Sequence, residues 1–288
     1  MRDLNYQLKQ LCHRNRDGSF ATQADREQML ALFAKQLHEM GYRHMRADSL
    51  KPKHVEALVE RWKGEEISTG TLKNRLSGLR WWAEKVGKEN VVARDNDAYG
   101  IERRQYVTNQ DKGKDLNPAQ VDKVRSPYVA MSLRLQEAFG LRREESIKIQ
   151  PGWADEGNAI RLKESWTKGG RERVIPVGTA EQRAVLDEAK RVAAGGSLIP
   201  PSSTYKQQLA AYKAECQRAG LSRNHGLRHR YAQNRYVEKT GWECPSRGGP
   251  TAKQLTPEQR SIDQRVRLEI SAALGHGRAQ VAAVYLGR

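Results

Sequence analysis

The chain has 288 residues, 38% of them hydrophobic, with 51 Lys and Arg against 34 Asp and Glu for a formal net charge of +17. That length suits two ordinary domains, and the basic excess favours a polyanion, nucleic acid by default, over acidic partners. Cys12, Cys216 and Cys244 show neither metal-ligand spacing nor a disulfide framework, and no apolar run reaches the length of a signal core or a membrane span, so a reducing, cytoplasmic setting is expected.

Helices are expected over 3–14 and 22–41. The second carries Met29, Leu30, Phe33, Leu37 and Met40 at helical spacing, with Thr22 and Asp25 at its start. Pro52 opens a third helix with Val55, Leu58, Val59 and Trp62 on one face. A fourth runs over about 68–86 and buries Leu72, Leu76, Leu79 and Trp82. Its other face presents Thr71, Lys73, Asn74, Ser77 and Arg80, short polar and cationic groups suited to phosphates and base edges in a DNA groove. Trp81 and Trp82 read as packing groups. Periodicity fails over 87–116, which places a linker at about 104–114 and an all-helical domain over 1–108.

The second domain, 109–288, starts with Asn117 as a cap and Pro118 in the first turn. Helices are expected over 118–125, 127–139 and 142–149. Ala159–Leu162 and Arg173–Val177 then flank the turn Thr167-Lys168-Gly169-Gly170, a hairpin or a three-stranded sheet. Helices resume over 179–194, 204–219, 226–239 and 260–274, and a last short helix bears Tyr285. Residues 241–260 read as an inserted loop. The fold class is mainly α with a small β-sheet: an all-helical N-terminal domain and a mixed α/β C-terminal one.

Four places in the second domain hold groups suited to one phosphodiester. Arg142 offers a planar fork for two phosphate oxygens, and Glu145, three residues on, shares its helix face and can hold it. Arg143 is the alternative clamp; Arg142 is favoured because it directly follows Gly140-Leu141 and precedes Glu145 by three. Lys168 sits at a hairpin tip, from which an ammonium can protonate a departing alkoxide, with Lys163 as the alternative acid. His225 and Arg228 share one face of a helix start, followed by His229. Leu274-Gly275-His276 ends a helix nine residues before Tyr285. A tyrosine hydroxyl, with a pKa of about 10, attacks nothing at neutral pH without cations and donors around it; the other three places supply such groups.

In this order and at these spacings, Gly140-Leu141-Arg142…Glu145, Lys168-Gly169-Gly170…Arg173-Val174-Ile175-Pro176, His225…Leu227-Arg228-His229 and Leu274-Gly275-His276…Tyr285 resemble the tyrosine recombinase, or phage integrase, family. The first domain is similar to that family's helical core-binding domain in helix count and position. The resemblance implies that Arg142 and Arg228 clamp the scissile phosphate and that Lys168 protonates the 5′-oxygen. It implies that His225 assists proton transfer, His276 hydrogen-bonds the phosphate, and Glu145 and His229 lie behind them as supports. Tyr285 would attack to leave a 3′-phosphotyrosine. No metal and no cofactor is implied.

The implied partner is double-stranded DNA gripped by a two-domain clamp. Self-association on DNA as a tetramer, accessory DNA-bending proteins and a prokaryotic, nucleoid-associated setting also follow from the resemblance. The gap from His225 to His276 is longer than the family pattern, which points to an insertion near 241–260. With three residues after it, Tyr285 is expected to act within its own subunit, on a helix that is mobile until DNA binds. Two rival readings stay open: a type IB topoisomerase, and a DNA-binding regulator that never cuts.

Overall fold

The computed structural model describes residues 3–288. The chain divides into two compact units, the first ending at Gln105 and the second running from Tyr106 to Arg288.

The first unit is helical: α1 (Asp3–Arg14), α2 (Phe20–Glu39), α3 (Pro52–Gly64) and α4 (Thr69–Lys85). Ser19 caps α2 by accepting a bond from the Thr22 backbone N–H at 3.2 Å, so the helix starts two residues before the expected Thr22. A hydroxyl outside the first turn satisfies an orphan donor there, whereas Thr22 lies inside it. Ser68 does the same for α4. Leu8, Phe33, Leu37, Leu58, Trp62, Leu76, Leu79 and Trp82 fill the core. The two buried indoles each find an acceptor: Trp62 donates to Gln36 Oε1 and Trp82 to the Ala47 carbonyl, both at 2.8 Å.

The second unit carries α5 (Pro118–Val121), α6 (Pro127–Phe139), α7 (Arg143–Lys148) and α8 (Pro151–Ala154). The strands β1 (Ala159–Leu162) and β2 (Arg173–Pro176) follow, then α9 (Ala180–Ala193), α10 (Tyr205–Arg218), α11 (His225–Thr240), α12 (Pro257–Ala273) and α13 (Ala279–Leu286). The sheet is a two-stranded antiparallel hairpin, pairing Ala159 with Pro176 and Leu162 with Arg173. Helix α12 begins three residues earlier than expected, because Thr256 and Gln259 form a reciprocal capping box. All three cysteines are free and buried.

The core of this unit gathers Phe139, Leu141, Ile160, Ile175, Tyr231, Tyr236, Ile270, Leu274 and Leu286. One backbone feature sets its shape near the site. Gly140 ends α6 at φ +60°, and a Cβ there would meet Tyr231 Cδ1 at 2.4 Å. Left-handed backbone and a flat ring against the chain both require glycine.

Gly140→Ala is therefore expected to destabilise the second unit by about 2–5 kcal/mol, from backbone strain plus overpacking. Gly169 is the control: it is also at positive φ, but no atom lies within 4 Å of where a methyl would stand. Its alanine variant should lose about 1 kcal/mol. Parallel thermal melts of the two full-length variants check the difference, and equal losses would refute the packing argument.

Candidate active site

The site starts from one carboxylate. Arg142 is the N-cap of α7 and Glu145 its third residue, so the Glu145 side chain turns back to accept the Arg142 backbone N–H at 2.7 Å. The same carboxylate accepts Arg142 Nη1 at 2.7 Å, and Arg173 Nη1 and Nη2 at 2.9 and 2.6 Å. Glu145 is fully buried. Burial alone would raise its pKa; the paired Arg173, with Arg142, outweighs this and holds it down to about 2.

Arg173 is a functional group that residue order left inside a strand. The signal was there: along β2, Arg173 and Ile175 share the inward face, and a charged residue at an inward strand position needs a buried partner.

A second set of acceptors lies at the C-terminal end of α12, where the last carbonyls have no helical partner. The Ala273 carbonyl accepts Arg173 Nε at 3.0 Å. The Leu274 carbonyl accepts Arg142 Nη2 at 3.3 Å and also Arg228 Nη2. Arg228, 1% exposed on the first turn of α11, donates Nη1 to the Gly140 carbonyl at 2.5 Å and Nε to the Tyr285 hydroxyl at 3.3 Å. Burial lowers its pKa to about 10, so it stays charged at neutral pH.

Gly275, at φ +72°, ends α12 and turns the chain back, with the His276 N–H bonded to the Ser271 carbonyl at 2.8 Å. His276 Nε2 then lies 3.3 Å from the Tyr285 hydroxyl and 3.5 Å from Arg142 Nη2. Burial, reinforced by Arg228 and Arg142, lowers its pKa to about 4, so its ring is neutral at pH 7. His229 is buried with its ring centre 4.7 Å from that of Tyr285, and burial with His225 nearby takes it to about 4 as well. His225 packs edge-on to His229 at 5.4 Å, and its pKa is lowered by desolvation and by Arg228.

Tyr285 itself is 6% exposed. Its helix packs on α11 and α12 through Ala282, Ala283 and Leu286. The tail is also bonded: the Arg288 N–H donates to Asn109 Oδ1 at 2.8 Å, and Arg267 Nη1 to the Gly287 carbonyl at 2.9 Å. The expectation that little anchors Tyr285 from behind is corrected by these bonds, whose partners lie far away in sequence.

Lys168 stands exposed at the hairpin tip, on the wall of a cavity of about 850 Å³ that Arg142, Glu145 and His225 also line. Lys163, the alternative acid, is held elsewhere, over the Trp153 ring at 4.0 Å and the Trp166 ring at 5.2 Å. Arg143 lines the same cavity but does not join Glu145.

In the first unit, Thr71, Asn74 and Ser77 are exposed along α4 and Lys73 is half-buried. Arg80 does not belong with that face. Its Nε donates to the Ala93 carbonyl at 2.9 Å and Nη2 to Asn96 Oδ1 at 2.8 Å, so it ties α4 to the segment after it.

A helical unit followed by a mixed unit, with a tyrosine among two arginines, a hairpin lysine and three histidines, has the organisation of a tyrosine recombinase. Two family models agree. Residues 1–92 match the model described as phage integrase, N-terminal, and residues 107–234 match the integrase model. The chain belongs to the tyrosine recombinase, or phage integrase, family.

Among solved structures it is similar to a λ integrase (75–356) dimer bound to a COC′ core site, with TM-score 0.61 and 14% identity over 99% of this chain and 96% of that one. It is similar to the XerH site-specific recombinase bound to a palindromic difH substrate, with TM-score 0.57 and 15% identity over 98% and 80%. The Tn1549 transposon integrase in complex with circular intermediate DNA gives 0.54 and 13% over 98% and 95%. At these identities the likeness is one of fold. No curated protein sequence matches the chain.

The histidines set a pH dependence of stability. Both His229 and His276 have folded pKa values near 4, below their ordinary 6.5. Between those values the unfolded chain binds more protons than the folded one, so stability is full above about pH 6.5 and is lost as pH falls towards 4. Glu145, at about 2 against 4.5, extends the loss below pH 4.5. From pH 7 to 5 the second unit should lose on the order of 2–4 kcal/mol. Melts of wild type and of His276→Gln check this: the variant should show a shallower acid dependence.

Proposed function

We propose that the chain is a site-specific recombinase of the integrase type, which cleaves and rejoins duplex DNA through a 3′-phosphotyrosine. One observation carries the assignment of roles: the Tyr285 hydroxyl lies 3.3 Å from both Arg228 Nε and His276 Nε2, beside an Arg142 locked onto Glu145.

Arg142 and Arg228 hold the non-bridging oxygens of the scissile phosphate. Arg228 keeps free N–H groups for this after serving two carbonyls and the tyrosine, since a guanidinium has five donors. Tyr285 Oη attacks phosphorus while the P–O5′ bond breaks. The phenolic proton passes to the neutral His276, which then donates to a phosphate oxygen, and Lys168 gives a proton to the departing 5′-oxygen. His225 assists proton transfer, and His229 packs behind the tyrosine ring. The phosphodiester energy is kept in the phosphotyrosine, so the free 5′-hydroxyl of another strand can attack it and restore the tyrosine.

Each chain supplies one nucleophile, so exchange between two duplexes, at one chain per broken strand, uses a tetramer. The exposed face Thr71, Asn74 and Ser77 of the helical unit is suited to groove contacts.

Because the target sequence is unknown, the test uses a pool of random duplexes nicked a few nucleotides from the cleavage position, so that the released fragment diffuses away. Wild type should trap a subset as protease-sensitive covalent adducts, whose DNA identifies the site. Tyr285→Phe should trap none, and Arg228→Ala at least about a thousandfold less. An adduct with the Phe variant removes Tyr285 as nucleophile, and no adduct with wild type removes the reaction.

The cavity beyond Arg142 and His225 continues past three exposed cations, Arg143, Lys213 and Arg223, which suits the phosphates flanking the scissile one. Replacing any of them with alanine should weaken binding to all sequences alike and reduce the slope of log affinity against log salt by about 0.9. A salt titration by fluorescence anisotropy checks it; an unchanged slope means that cation meets no phosphate.

A further inference from the structure

The second unit opens with a strap. Residues 107–116 have no regular secondary structure, yet their polar groups are bonded at almost every step. Asn109, in the left-handed region at φ +51°, faces the end of the chain with both ends of its amide. Its Oδ1 accepts the Arg288 N–H at 2.8 Å, and its Nδ2 donates to the Arg288 carbonyl at 3.2 Å. Asp111 Oδ1 accepts Gln233 Nε2 at 2.8 Å. Arg230 joins from the same helix, donating to Asp115 at 3.2 Å and to Asp111 at 3.5 Å. The Lys114 N–H donates to the Gly226 carbonyl at 3.0 Å, inside the turn that carries His225 and Arg228.

What the strap holds is the end of the tyrosine helix. Helix α13 has eight residues, too few to persist without tertiary support. The Tyr285 carbonyl is one of the last four in its helix and has no helical donor. It is met by Ser246 Oγ at 3.3 Å and by Gln233 Nε2 at 3.4 Å. Gln233 is fully buried, and the one amide nitrogen that faces the Tyr285 carbonyl also faces Asp111. Asp111 therefore orients the amide that touches the tyrosine, and Asn109 holds the chain three residues after it. Through Ser246, the loop between α11 and α12 covers the same carbonyl from the other side.

We propose that Asn109 and Asp111 are positioning residues that seat Tyr285 against Arg228 and His276 through the tail and through Gln233. The proposal rests on Tyr285 as the nucleophile, and it makes a short, distant segment of the chain a determinant of cleavage rate.

The variants separate bonding from folding. Asn109→Gly keeps the left-handed backbone accessible and removes both bonds to Arg288. Asn109→Asp keeps the acceptor for the Arg288 N–H and tolerates the same φ. Asp111→Ala frees the Gln233 amide. Three quantities are read: single-turnover cleavage at saturating amounts of a nicked duplex recovered from the random pool, affinity for that duplex, and amide exchange over 281–286 in the free full-length protein. Asn109→Gly and Asp111→Ala should slow cleavage about tenfold or more, leave affinity within about twofold by the same positioning argument, and speed exchange over 281–286. Asn109→Asp should recover most of the rate.

Unchanged cleavage, or cleavage and affinity falling together with the melting temperature, overturns the proposal. The exchange measurement needs no DNA. If the pool yields no adduct, the assigned reaction fails while exchange still decides whether the strap seats the helix; unaltered exchange in Asn109→Gly overturns the strap alone.

Discussion

Three guanidiniums share one buried carboxylate and the last carbonyls of one helix, and the site depends on this arrangement. Glu145 takes Arg142 and Arg173, the Ala273 carbonyl takes Arg173, and the Leu274 carbonyl takes Arg142 and Arg228. Burying three like charges costs far more than their packing returns unless each is paired and hydrogen-bonded. Here the carboxylate neutralises part of the charge, and the negative end of the α12 dipole receives the rest. The uncompensated remainder is what an anion would find. Removing Glu145 would unbalance all three arginines at once, so the carboxylate matters more than any single arginine it holds.

The same cations explain the states of the neighbouring histidines. A ring buried beside fixed positive charge gives up its proton, so His229 and His276 are neutral around a tyrosine whose hydroxyl they border. Protein dipoles and charges are set before any ligand arrives, and they need little rearrangement to meet a developing negative charge.

Much of this could be read from residue order. Apolar periodicity found the helices to within a few residues, and Gly140-Leu141-Arg142…Glu145 announced a capped arginine because capping and ion pairing act over three residues. What failed to show was non-local or inward-facing. Arg173 looked like an ordinary strand residue, since its partner Glu145 is 28 positions away. Arg80 looked like part of a groove-facing stripe, since its acceptors Ala93 and Asn96 lie beyond the helix end. The tail after Tyr285 looked free, since Asn109 is 179 positions upstream of Arg288. A spacing rule sees along one element; it does not see which loop returns to cover it.

The groups around Tyr285 all come from one chain. That fixes the kinetic order of the first chemical event. A site shared between copies would cut in proportion to assembled pairs, and dilution would silence it. A site completed within one chain is competent wherever a single copy sits, so strand scission follows occupancy in the first power. Control then moves from making the cut to what happens afterwards: the phosphotyrosine link either takes back its own 5′-hydroxyl or waits for another, and the arrival of that second strand, rather than the first attack, sets whether DNA is repaired or rearranged.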